Sequence, residues 1–253
     1  MNISIQLITA IIIGLGAGRI GAYLVLRRMA LVGDALSHVA LPGIAVALIY
    51  HFNPFMGALT ALFLAIIGIW AVEKRTHLPS EALVGIFFTT ALAVGILLTP
   101  EPELLEALFG DISQVNIYDG VLAALIILIL IIIISRIHKS LILSTISSEL
   151  TQSMGIRVNL INFIFLALVS VVVALGLKIA GTLLMGSLVI IPAATARNIS
   201  RSMTSYIFVS TILGGLASFF GILTATRFNL APGALVVLAG GLMFLLSLLF
   251  KNS

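Results

Sequence analysis

The strongest constraint on this chain is the recurrence of long apolar runs, at about residues 5–26, 30–50, 54–73, 80–99, 119–136, 159–178, 180–196, 204–224 and 231–250. A helix needs about 20 predominantly apolar residues to cross a bilayer. The chain therefore reads as an all-α, polytopic integral membrane protein with eight or nine transmembrane helices. The run at 180–196 is short, contains Gly181, Gly186 and Pro192, and reads either as a full span or as a broken, re-entrant one. Only 9% of the 253 residues are charged and 61% are hydrophobic, against roughly 25% charged in soluble domains. This leaves a single membrane domain over 1–253 and no room for a large soluble catalytic domain. The N-terminal MNISIQLIT lacks a basic segment and a small-residue cleavage site, and reads as the start of a helix.

Charge placement orients the spans. Arg27, Arg28, Lys74, Arg75, Arg136, Lys139, Arg157, Arg197, Arg201 and Lys251 fall at alternate ends of the nine-span arrangement, which makes those ends cytoplasmic, with the N-terminus outside and the C-terminus inside. With one span fewer, Arg197, Arg201 and Lys251 would land on the wrong side. The net charge of +4 is thus topological and does not point to nucleic acid. With no cysteine, a disulfide, a thiolate metal site, an iron–sulfur cluster and a cysteine nucleophile are all excluded. The 100–119 connection holds Glu101, Glu103, Glu106, Asp111 and Asp119 without a basic residue. It reads as an acidic outer mouth or as an interfacial turn with solvated carboxylates. On the inner side, the polar stretch 137–158 is predicted to contain a short amphipathic helix capped by Ser147 or Ser148. It would run through Glu149, Leu150, Thr151 and Met154 to Gly155, lie parallel to the membrane, and be open to a cytoplasmic partner.

Three motifs carry chemistry or resemble ones that do. Residues 16–21 match G-x-G-x-x-G, but within an apolar helix. The spacings Gly14–Gly18 and Ala17–Gly21 suit close helix packing and not a pyrophosphate. No G-x-x-x-x-G-K-[ST] occurs, so ATP hydrolysis is not expected on this chain. Asp34 and His38 stand four residues apart on one face of an apolar helix, a costly arrangement in a membrane. They read either as a structural hydrogen bond or as half of a site for a divalent cation such as Zn²⁺ or Mn²⁺, completed by two-fold pairing of chains. Ser37 beside His38 points about 100° away and does not form a nucleophile–base pair. Arg19 reads as a counter-charge to Asp34 or as a snorkelling side chain. His51 and His77 sit at loop ends and read as solvated.

Several blocks together carry a family resemblance: LVLRRMALVGDALSHVALPGIAVAL at 24–48, LFGD at 108–111, STISSELTQSMGI at 144–156, KIAGTLLMGSLVIIPAATAR at 178–197 and APGALVVLAGG at 231–241. Over about residues 4–250 the chain resembles the membrane permease subunit of bacterial ABC transporters that import zinc, manganese or iron, the ZnuB and MntB type. The resemblance implies a type II-like importer bundle in the bacterial inner membrane. It also implies a homodimer of permeases, a cytoplasmic ATPase subunit on each chain and an extracytoplasmic metal-binding protein. No permanently bound cofactor is implied; Zn²⁺, Mn²⁺ or Fe²⁺ would be cargo. Asp34 and His38 match the family's metal-coordinating pair, and 147–157 matches its coupling helix, here reading Ser148-Glu149-Leu150-Thr151. The competing expectation is a secondary, ion-coupled transporter in which Asp34 and His38 relay protons or ions. A membrane-parallel helix and the lack of an evident inverted repeat weigh against it.

Overall fold

The computed structural model describes residues 3–76, 78–98 and 115–250. Among them the chain is entirely helical: α1 Ile3–Leu26, α2 Val32–Val39, α3 Leu41–Ile49, α4 Pro54–Glu73, α5 Ser80–Leu98, α6 Ile117–Ile146, α7 Ser148–Ser153, α8 Val158–Ile199, α9 Met203–Phe228 and α10 Pro232–Leu248. Glu101, Glu103, Glu106 and Asp111 of the expected outer mouth, together with His77, lie outside the described residues.

The termini follow local chemistry. Asn53 accepts from the Phe55 N–H at 2.9 Å, with Pro54 opening α4. Asn116 and Asp119 form a reciprocal capping box at the start of α6, each satisfying a backbone donor that the helix leaves free. Asp119 is thus a capping residue as well as part of the acidic connection. Ser202 caps α9, which ends at Asn229 in the left-handed region.

The run at 30–50 is two helices. Pro42 in the first turn of α3 lacks the N–H that a continuous helix would donate to the His38 carbonyl, and the segment divides at Ala40. Helix α8 is also interrupted, at Gly181 (φ 69°, ψ 178°). Residues nine apart on a straight helix are separated by about 13 Å. Yet Gly176 and Met185 are in such close contact that a Cβ on the glycine would collide with the thioether. The chain therefore folds back at Gly181, giving arms 158–180 and 182–199. Pro192, within the second arm, leaves the helix unbroken.

This reversal bears on the number of apolar segments. Among the described residues seven segments are long and apolar enough to span, with α2 and α3 counted as one, and α10 is a shorter apolar helix; the second arm of α8 adds a further apolar segment. Because the arms reverse, both ends of α8 return to the end of the bundle that carries Arg27. There Arg27 donates to Asn162, Tyr206 Oη donates to the Ala22 carbonyl, and Tyr23 Oη meets His138 Nδ1 at 2.8 Å. One fewer crossing would have sent Tyr206 to the opposite end.

Helix α1 runs through the core. Gly14 faces Gly214, and Gly18 faces Ser210 of α9, closely enough that a Cβ at either glycine would strike backbone. Ser210 Oγ donates to the Gly18 carbonyl across the same seam. The glycine pattern of 14–21 is thus helix packing, with Gly21 against Val189 of the second arm.

Candidate metal-translocation site

Helix α2 is only eight residues long, and its fixing depends on the interrupted helix beside it. Ser37 is fully buried. Its Oγ lies 2.6 Å from both the Asp34 carbonyl and the Thr182 carbonyl, one residue past the break, so its single hydrogen is shared between them. Residues freed from helical bonding near Gly181 thereby gain a partner, and α2 is clamped to the second arm. The clamp was not visible in the sequence, where Ser37 was notable only for adjoining His38.

Asp34 and His38 lie one helical turn apart, both half-buried, and close enough to interact electrostatically. Gly186 supplies the surface behind Asp34: a Cβ there would come 2.5 Å from the Asp34 Cβ. The His38 ring packs against Phe88 of α5, with centroids 5.4 Å apart and planes tilted by 48°. Its Nδ1 is buried without a hydrogen-bond partner. Among the described residues no cluster of three or more His, Cys, Asp or Glu forms. Asp34 and His38 thus put one hard carboxylate oxygen donor and one borderline imidazole side by side among the described residues.

Arg19 is not a counter-charge to Asp34. It donates to Ser135 Oγ on α6 at 3.1 Å. His51 is at an exposed turn with φ 55°.

At the basic end, half of the polar 137–158 stretch continues α6 as far as Ile146, so only the remainder connects spans. Ser147, rather than Ser148, caps α7, accepting from the Leu150 N–H at 3.1 Å. Thr151 is buried and donates to the Ser147 carbonyl at 2.7 Å. Met154 closes the helix, and Gly155 follows at φ 78°, a value glycine adopts without a Cβ penalty. Ser148 and Glu149 are exposed, and Leu150 and Met154 are 53% and 62% exposed. Four residues apart, these two form an apolar pair on a polar turn.

Comparison with known proteins covers nearly the whole chain. Residues 2–251 match the model of the ABC 3 transport family. The manganese import system permease protein ScaB of Streptococcus gordonii is 36% identical over 245 residues, covering 95% of this chain and 88% of that protein. The high-affinity zinc uptake system membrane protein ZnuB of Haemophilus influenzae is 33% identical over 252 residues, covering 97% and 96%. PsaBC from Streptococcus pneumoniae, solved in complex with Fab, superposes with a TM-score of 0.84 at 32% identity, covering 98% of this chain and 91% of that one. An inward-facing metal-chelate type ABC transporter shares the fold, with a TM-score of 0.80 at 17% identity over 97% and 85%.

Proposed function

The chain belongs to the ABC 3 transport family, as the multi-pass membrane permease of an ABC importer, and on that premise we propose that its cargo is a divalent transition metal, Mn²⁺ or Zn²⁺, held in passing by Asp34 and His38. The observation that carries this reading is the placement of Asp34 and His38 one turn apart on α2, both half-buried. A carboxylate offsets part of the ion's lost hydration and an imidazole suits both metals. Relatives named for manganese and for zinc support the class of cargo equally.

Two donors per chain do not enclose an ion. Pairing two permeases about a two-fold axis would bring four together, and a homodimer is therefore part of the proposal. The site must hold metal differently in its outward and inward states, since a ligand with equal affinity for both shifts nothing. A closed structural site of four fixed ligands would instead trap the cargo.

Membership of an ABC import system implies an ATPase and a binding protein as partners. ATP hydrolysis belongs to the separate ATPase chain, and this subunit is not an enzyme. The 147–157 segment is proposed to meet that ATPase through Leu150 and Met154, which protrude at the basic end with no apolar cover of their own. ATP-driven motion of this segment would reach the site through α6 and α8, which flank it.

The test is uptake of Mn²⁺ and Zn²⁺ into proteoliposomes holding the complete transporter. The expected result is accumulation that requires ATP and the binding protein and survives collapse of the proton gradient. Accumulation driven by a proton gradient without ATP would instead establish the ion-coupled alternative.

A further inference from the structure

Arg19 is a cation on a membrane-spanning helix that its neighbours do not neutralise. One of its terminal nitrogens donates to Ser135 Oγ, while Nε is buried with no acceptor. Ser135 spends its own hydrogen on the Ile131 carbonyl, at 2.6 Å. Arg19 and Lys139 both act electrostatically on His138, whose Nδ1 meets Tyr23 Oη. Three basic side chains and two hydroxyls thus converge on the seam between α1 and α6. Among the described residues no carboxylate forms an ion pair with them.

The seam lies where a membrane surface would be. Helix α6 has 30 residues, about 45 Å at 1.5 Å per residue, and so outruns a hydrocarbon core of about 30 Å. Its apolar run stops at Ile134, and Ser135-Arg136-Ile137-His138-Lys139-Ser140 follows. On the apolar side of that step Leu125, Leu128, Ile129 and Ile132 are each more than half exposed. At three- and four-residue spacing they form one stripe, which continues into exposed Ser135 and Lys139.

We propose that this seam binds an anionic phospholipid, with its phosphate on Arg19 and Lys139, beside Ser135, and an acyl chain along the stripe from Leu125 to Ile132. Basic pockets between spanning helices at a membrane surface suit such headgroups, and an anion supplies the countercharge that Arg19 lacks among the described residues. A second copy of this chain fits poorly. Its surface at this end carries Arg28, Arg75, Arg136, Arg157 and Arg201, all exposed, and would set like charge against the cluster.

Native mass spectrometry of the purified, delipidated transporter, titrated with phosphatidylglycerol or phosphatidylethanolamine, tests the site. One tightly retained phosphatidylglycerol per permease is expected, with phosphatidylethanolamine retained less and millimolar inorganic phosphate unable to displace it. Arg19→Gln and the surface change Lys139→Gln should each weaken retention roughly fivefold. Arg19→Lys should largely preserve it, and Arg75→Gln, away from the seam, should leave it unchanged. Equal retention of the two lipids, or retention unaffected in both Arg19→Gln and Lys139→Gln, overturns the proposal. Displacement by inorganic phosphate would mark a free-anion site instead. A change in permease stoichiometry on altering the seam would mark an interface between copies.

Discussion

Gly186 lies so close to Asp34 that a Cβ on the glycine would come 2.6 Å from the carboxylate Oδ1. The second arm of α8 therefore sets where the Asp34 side chain can stand, and only the smallest residue leaves it there. Gly186→Ala should turn the carboxylate away from its present position. Metal uptake is expected to fall roughly tenfold, about 1.4 kcal/mol in ion binding, with the protein still monodisperse. Gly241→Ala, where a Cβ meets no atom within 4 Å, is the matched control and should transport normally. Equal uptake by the two variants would show that Asp34 tolerates displacement.

The Ser37 hydroxyl joins α2 to the carbonyl that follows the Gly181 break. Ser37→Ala leaves that buried acceptor short of a partner, which typically costs about 1–3 kcal/mol. A lowered thermal unfolding midpoint of the detergent-solubilised protein is the expected result. An unchanged midpoint would mean that the Thr182 carbonyl finds another donor, and that α2 is held by packing alone.

Leu150 and Met154 offer the apolar surface proposed to enter a groove on the ATPase. Replacing both by Asp should abolish copurification of the ATPase, because two carboxylates would have to be buried. Both side chains are exposed, so the permease itself should keep its unfolding midpoint. Retained copurification would move the contact elsewhere on the basic end.

An all-α bundle of eight or nine apolar runs was legible in the sequence, and the regular alternation of basic residues favours nine, since losing one span would misplace Arg197, Arg201 and Lys251. The interruptions were harder to locate. Gly181, Gly186 and Pro192 all stood in the doubtful run, yet each does something different: Gly181 reverses the chain, Gly186 makes room for Asp34, and Pro192 sits in unbroken helix. Composition alone does not distinguish a glycine needed for its backbone angle from one needed for its missing side chain. Asp34 and His38 could be paired by spacing, because both lie on one short helix. Ser37–Thr182, Arg19–Ser135 and Tyr23–His138 could not, since each joins residues more than a hundred apart. The extension of α6 to Ile146 was missed for another reason: polarity in 137–146 marks its exit from the bilayer, not the end of the helix.

The orientation proposed from the basic residues places the N-terminus outside and the C-terminus inside. Reporter fusions at Ser253 and within 100–118 should therefore report opposite sides of the membrane. Both reporters on one side would contradict the reversal at Gly181, since removing that fold-back transfers everything after it to the other face.

Substitution of Asp34 and of His38 separates a metal ligand from a structural hydrogen bond. Asp34→Asn keeps the shape and one carbonyl oxygen but removes the charge that offsets dehydration of a divalent cation. If the carboxylate merely accepted a hydrogen bond from His38, the amide oxygen could do the same and transport would be nearly normal. The ligand reading instead requires a steep loss of uptake, by roughly tenfold or more, with assembly and ATPase copurification intact. His38→Ala should behave likewise, since its free Nδ1 has no hydrogen bond to lose. A ligating imidazole must also be neutral, so protons compete with metal. Uptake by the wild-type transporter should decline as the pH falls far enough to protonate the imidazole, and recover at higher metal concentration. Normal uptake by both variants in loaded proteoliposomes would leave Asp34 and His38 as packing residues and turn attention to the acidic connection of Glu101, Glu103, Glu106 and Asp111.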